Sequence, residues 1–289
     1  MKKLLLANIG ALVLFSLSFT ACQKVNDLVH KYKNDKDDPK GITFYALEGN
    51  RLFQYSTSYP EKLVNSSTIM GLQTGEKVVG IDFRPATGEL YALGSNSRLY
   101  TINFNSGKAT FIAALTTMPM GSTTSMALAL SGTSFGFDFN PVVDRIRIVS
   151  NTGQNLRAHP MTGVTVVDGS INPASAWVNG VAYDNNDKDT TTTTELYALD
   201  VSSDNLFEID PPNNGTLIEP LSIKLNITGE GGFDIAPRNA NVTTDMGLGL
   251  YEIDQISTLF KIDVETGETK ILAKYKNAKY TGIAISPVQ

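Results

Sequence analysis

One six-residue pattern occurs five times in this chain of 289 residues. It reads GIDFRP at Gly80–Pro85, GFDFNP at Gly136–Pro141, GVAYDN at Gly180–Asn185, GFDIAP at Gly232–Pro237 and GIAISP at Gly282–Pro287. The glycines lie 56, 44, 52 and 50 residues apart. Recurrence at a period of about 40–50 residues marks a repeat architecture, in which each unit buries its apolar faces only by stacking on its neighbours.

The unit is all-β. After GIDFRP come ELYAL, RLYTINF and KATFIAAL, separated by the turns Ala86-Thr87-Gly88, Gly94-Ser95-Asn96-Ser97 and Asn105-Ser106-Gly107. Four short runs rich in β-branched and aromatic residues, bounded by turn formers, read as four strands. The other units repeat the order, with DRIRIVSN, NLRAHP and GVTVVDG in the second, ELYALDV and NLFEIDP in the third, and GLGLYEID and TLFKIDV in the fourth. No window of helical length carries a sustained 3.6-residue period; Ser122–Leu130 comes nearest. Four-stranded units at this period predict a β-propeller.

The two ends of the repeat region complete each other. The last unit stops after one strand, GIAISP, whereas the first residues of the domain (FYALEGN, RLFQYST and EKLVNSS) supply the second, third and fourth strands of a unit without its first. Pairing them closes a ring and covers edges that would otherwise template aggregation. The expectation is a five-bladed propeller over residues 41–289, its ring closed by the C-terminal strand. A solenoid is the alternative, but it has no use for complementary partial repeats.

Residues 1–21 read as an export signal: Lys2 and Lys3, an apolar run from Leu4 to Leu17, then Thr20-Ala21. Phe19-Thr20-Ala21-Cys22 resembles a bacterial lipobox, and Cys22 is the only cysteine. Lipidation of Cys22 accounts for a lone thiol in an exported chain; an ordinary signal peptide with a chance cysteine is the plainer alternative. Gln23 after the cysteine resembles the signal for onward transport to the outer membrane. Residues 22–40 then form a tether, with nine charged residues between Gln23 and Lys40. No later stretch approaches the ~20 apolar residues of a membrane span, so the membrane is expected as a partner through the lipid alone.

Composition excludes several functions. Net charge is −5 with no basic stripe, so no nucleic-acid partner is expected. Without cysteine after Cys22, and with only His30 and His159 as histidines, disulfides, thiolate sites and multi-histidine zinc sites fall away. The chain has no HExxH and no P-loop. No cofactor, no metal and no catalytic residue is expected.

Two sets of residues remain as candidates. Asp82, Asp138 and Asp234 share one position, two after the repeat glycine; Ala182 and Ala284 fill it in the other units. A carboxylate there fastens blades through backbone amides; a ring of cation ligands is the sharper alternative. The other set lies between Asn140 and Arg157, which hold three of the seven arginines. Arg145 and Arg147 project from one face of a strand. With Arg157, Asn151 and Asn155 (and Gln154 beside them) they are candidates for an anion- or sugar-binding pocket. The competing reading is an inter-blade set of ion pairs with Asp138 and Asp144.

GFDFNPVVDRIRIVSNTGQNLR, the run TTTTTELYAL, PPNNGT at Pro211–Thr216 and the following GGFDI resemble a bacterial family of exported, propeller-like proteins known only as a domain of unknown function. The resemblance runs over essentially Gly41–Gln289. It implies the fold and export, and no activity, cofactor or catalytic residue. The functional expectation is a lipid-anchored envelope module that binds a glycan, an anionic ligand or an envelope protein. The alternative is an envelope enzyme, a carboxylate-dependent glycan hydrolase or lyase, which requires two acids converging in a pocket.

Overall fold

A computed structural model describes residues 41–118, 121–238 and 245–287. The expected signal peptide, Cys22 and tether lie outside the described residues. In chain order the strands are β1 (Thr43–Glu48), β2 (Arg51–Ser56), β3 (Asn65–Thr68), β4 (Val78–Phe83), β5 (Leu90–Gly94), β6 (Arg98–Ile102) and β7 (Ala109–Ala114). Then follow β8 (Thr116–Thr117), β9 (Met126–Ala127), β10 (Phe135–Asn140), β11 (Arg145–Ser150), β12 (Asn155–Ala158) and β13 (Val164–Val167). The third unit contributes β14 (Val178–Tyr183), β15 (Leu196–Asp200), β16 (Asn205–Ile209) and β17 (Leu217–Ser222). The fourth has β18 (Ile227–Ile235), β19 (Met246–Ile253), β20 (Ile256–Asp263) and β21 (Thr269–Tyr275), and β22 (Gly282–Ile285) ends the series.

These strands form five sheets, antiparallel except for one pairing in blade 2, that pack in a closed ring. Blade 1 is β4–β7, blade 2 is built on β10–β13, blade 3 is β14–β17 and blade 4 is β18–β21. Blade 5 is composite, in the order β22-β1-β2-β3. There Phe44 pairs with Ile285 and Leu47 with Gly282, so one C-terminal strand completes three N-terminal ones, as the partial repeats predict.

Each blade grades from a dry inner strand to a wet outer one. Every residue of β14 and β22 is buried, whereas β3 alternates and β13 is mostly exposed. This gradient explains why the inner strands read as mostly apolar or small runs and the outer ones do not. The apolar core is divided accordingly into five clusters, one per blade junction. Leu93, Leu99, Phe137, Phe139 and Ile146, for example, fill the space between blades 1 and 2. Each such side chain contributes roughly 1.5–3 kcal/mol on burial, so the junctions themselves hold the ring together.

Two uses of glycine shape the unit. At the axis the inner strands meet backbone to backbone, and a Cβ on Gly136 would lie 2.8 Å from the Val181 amide nitrogen of the next blade. A Cβ on Gly80, Gly180 or Gly232 would likewise come within 2.7 Å of a neighbouring atom, so four of the five repeat glycines leave no room for a larger residue. At the hairpin ends, Gly107 (φ 73°) donates its N–H to the Asn103 carbonyl at 2.7 Å, closing a turn followed by a left-handed residue.

Blade 2 departs from the four-strand expectation. β8 pairs in parallel with β13, and β9 pairs with β8, giving a six-stranded sheet. The segment between blades 1 and 2 folds back over the outer edge of blade 2 and leaves only the two-residue β9 as an edge, which limits its use as a template.

Candidate functional site

The alternation of β11 puts Arg145 and Arg147 on one face, opposite Asn140 and Asp138 of β10, and Arg157 of β12 lies opposite Arg147. All three arginines line one cavity of about 220 Å³ between blades 2 and 3, with Asn140, Val143, Tyr183, Pro212 and Asn213. That volume lies below the usual range for drug-sized ligands, so the cavity suits a small molecule or one terminal group of a larger one.

Arg147 is almost wholly buried, at 1% exposure. Its Nη1 donates to Asn155 Oδ1 at 2.7 Å and Asp168 Oδ2 at 2.9 Å, its Nη2 to Asn213 Oδ1 at 2.9 Å, and its Nε to the Tyr183 hydroxyl at 3.3 Å. Arg157 takes the same carboxylate bidentately, Nε to Oδ2 at 2.6 Å and Nη2 to Oδ1 at 3.0 Å. This pairing with Asp168 raises the Arg157 pKa further. Asn155, also 1% exposed, donates to the carbonyls of Gly169 and Pro212, which fixes its oxygen toward Arg147. The PPNNGT turn of blade 3 is thereby clamped onto the arginine strand of blade 2. Two motifs far apart in the chain form one site.

The charges in this cavity do not cancel. Arg145 bonds only carbonyls, those of Val143 and Asp144, among the described residues. The Asp144 carboxylate is instead held by Arg84 of blade 1, through Nε at 2.8 Å and Nη2 at 2.5 Å, and that guanidinium keeps its pKa below the usual carboxylate value. Three guanidinium groups therefore face the cavity with one carboxylate, Asp168, in contact with them. None of the residues lining it is acidic. Such a site favours a carboxylate, sulfate or phosphate, which the planar guanidinium grips with two parallel bonds. A second hollow of about 310 Å³ on blade 4 carries both signs (Lys261, Lys270, Asp263 and Glu268), and Asp245 there is paired with Arg238. Its field is correspondingly mixed.

Other expected residues go elsewhere. Asn151 caps a turn: its Oδ1 accepts the amides of Thr133 and Ser134. Gln154 is engaged by Ser131 and Ala129. The anticipated ion pairs of these arginines with Asp138 and Asp144 do not form; Arg147 and Arg157 pair instead with Asp168 of their own blade. Asn140, Tyr183, Asn213 and Asp168 escape the sequence reading, although the PPNNGT motif holds Asn213.

Asp138 sits instead on the ring axis with Asp82 and Asp234. Each carboxylate accepts an amide from the inner strand of the next blade: Asp82 from Phe139 at 2.8 Å, Asp138 from Tyr183 at 2.8 Å and Asp234 from Ile285 at 2.5 Å. Their shared position in the repeat thus sets each carboxylate against an amide of the neighbouring blade. Where the preceding blade has alanine, the local aspartate turns to its own strand, and Asp82 Oδ1 accepts the Phe83 amide at 2.6 Å. Ile235 likewise lies close enough to Asp234 to favour its charge, though without hydrogen-bond geometry. Burial pushes all three pKa values up, Asp234 to about 7; the neighbouring carboxylates push Asp82 and Asp138 higher still.

Fold and cavity together define the class: a five-bladed β-propeller with an arginine-lined cleft between two of its blades. The chain belongs to the family described as Domain of unknown function (DUF4394), whose model matches residues 51–284. No curated protein matches it in sequence. Among solved structures it is similar to a chain of the "Crystal structure of Nidogen/Laminin Complex", with 10% identity over 85% of this chain and 98% of that one, at a TM-score of 0.49. It is also similar to the "Crystal structure of RRP9 WD40 repeats", with 9% identity over 70% of this chain and 52% of that one, at a TM-score of 0.42.

Proposed function

We propose that this propeller is a binding module, lipid-anchored at the bacterial cell envelope through Cys22, that takes a small organic anion or an acidic sugar in the cleft between blades 2 and 3. The observation that carries the reading is the imbalance in that cleft, three guanidinium groups against one carboxylate. Arg147 is committed to the frame; Arg145 and the outer side of Arg157 supply the donors. The enzymic alternative asks for two converging acids, and the lining of this cleft offers none to support it.

Arg145→Ala tests the pocket. Its guanidinium bonds two carbonyls of the adjacent turn, so the fold should survive. Loss of a charge-assisted bond should weaken binding of a uronic acid or simple dicarboxylate by roughly 1.5–3 kcal/mol, about ten- to a hundredfold in Kd. Calorimetric titration of both proteins with a panel of sugar acids and neutral sugars reads this out. Equal affinities for charged and neutral sugars would end the anion reading.

The address rests on the lone cysteine at the end of the export signal. Cys22→Ser should remove metabolic labelling with palmitate and shift the protein to the soluble fraction, or stall its processing. Unchanged labelling and fractionation in that variant refute the anchor.

A further inference from the structure

We propose that the ring axis holds one divalent cation with the size and hardness of Ca²⁺, ligated by Asp82, Asp138 and Asp234. The three carboxylates are 1–2% exposed and come from blades 1, 2 and 4. They bring one oxygen each to within 4.8 Å of the others. Three oxygens spread evenly about one Ca²⁺ at 2.3–2.6 Å lie about 4.0–4.5 Å apart, within that bound, and Ca²⁺ tolerates irregular oxygen sets where Mg²⁺ demands a near-ideal octahedron.

These acids have no cationic protein partner. Among the described residues the partners of these carboxylates are backbone amides, with no lysine, arginine or histidine. Fastening alone does not demand three clustered acids, since the other two junctions hold with Ala182 and Ala284.

A second observation, independent of the acids, points to an occupant. Two residues along the strands, about 6.6 Å away, the five repeat glycines surround an axial cavity of about 10 Å³, together with Asn179. That is room for about one water. Asn179 is the extra residue of a bulge in β14, a feature that re-aims side chains. It is fully buried, and neither atom of its amide has a partner among the described residues. The Tyr251 hydroxyl, likewise buried and without a partner, lies 2.1 Å from where a Cβ on Gly180 would stand. Asp234 Oδ1 is a third such atom. Buried polar atoms in folded proteins find partners, from water or an ion where the protein offers none. A Ca²⁺ between the carboxylates gives Asp234 Oδ1 a partner, and a water in the adjoining glycine-ringed cavity gives one to the Asn179 amide.

The full-length chain, purified through a chelator, should bind one Ca²⁺ in calorimetric titration, confirmed by elemental analysis after dialysis. Saturation should raise Tm by about 5 °C or more, since binding to the folded state alone stabilises it by mass action. Mg²⁺ should bind more weakly. Asp138→Asn keeps an oxygen for the Tyr183 amide and should weaken Ca²⁺ at least tenfold. A wild-type chain that binds no Ca²⁺ at millimolar concentration and melts unchanged overturns the proposal. So does a single Ca²⁺ held equally well by a folded Asp138→Asn chain, because the ion then lies elsewhere. If that variant fails to fold, the wild-type stoichiometry and Tm shift decide.

Discussion

A chain ending at Thr281 should aggregate or lose most of its cooperative unfolding transition. Deleting Gly282–Gln289 removes β22, whose described residues Gly282 to Ile285 are all buried. Ile283 and Ile285 leave the core cluster between blades 4 and 5, at roughly 1.5–3 kcal/mol each. β1 loses its inner partner along Phe44–Leu47, so a buried edge becomes a free one. Asp234 loses the Ile285 amide and keeps its burial. Set against a total stability of about 5–15 kcal/mol, these losses leave little margin. Calorimetry and size-exclusion chromatography check the outcome; a truncated chain that melts like the intact one shows that the ring does not depend on this strand.

Arg147→Ala should cost about 3–5 kcal/mol, the usual consequence of removing one partner from a buried ionic network. For a domain of this size that corresponds to a fall in Tm on the order of 10 °C. Asn155, Asn213 and Tyr183 lose the donor that orders them, and a void opens between blades 2 and 3. Asp168 keeps Arg157, which limits the damage. Arg147→Lys should recover only part of the loss, because one ammonium does not span four acceptors in a fork. Thermal melts of these variants beside Arg145→Ala separate frame from binding surface: the first pair should melt early and the last close to wild type. An Arg147→Ala chain with unchanged Tm contradicts the structural role.

The fold was legible because its unit recurs and because its termini carry complementary fragments; both are properties of sequence order, independent of any one contact. The β8–β9 addition to blade 2 was not. Thr116–Thr117 and Met126–Ala127 are two-residue pairings with no alternation to read. At the cleft, period-two alternation placed Arg145 and Arg147 together, whereas Asp168 joins them from the end of β13 in the same blade, 21 residues on, and Asn213 only through packing between blades, 66 residues from Arg147. Asn151 and Gln154 misled for a local reason. Amide side chains beside a Gly-containing turn are recruited to cap it, and both are spent on the segment Ala129–Ser134. The axial aspartates were readable as a set, but which amide each serves depends on the neighbouring blade.

That division of labour gives the ring an uneven build. At the axis, Asp82 staples blade 1 to blade 2 and Asp138 staples blade 2 to blade 3; Asp234 staples blade 4 to blade 5. The propeller is therefore an arc of three blades and an arc of two. They meet at two seams, 3–4 and 5–1, where alanine stands in the stapling position. Proteins open first along their weakest boundaries. Parting the two arcs breaks none of these inter-blade carboxylate–amide bonds; any other cut of the ring into two runs of blades breaks at least one.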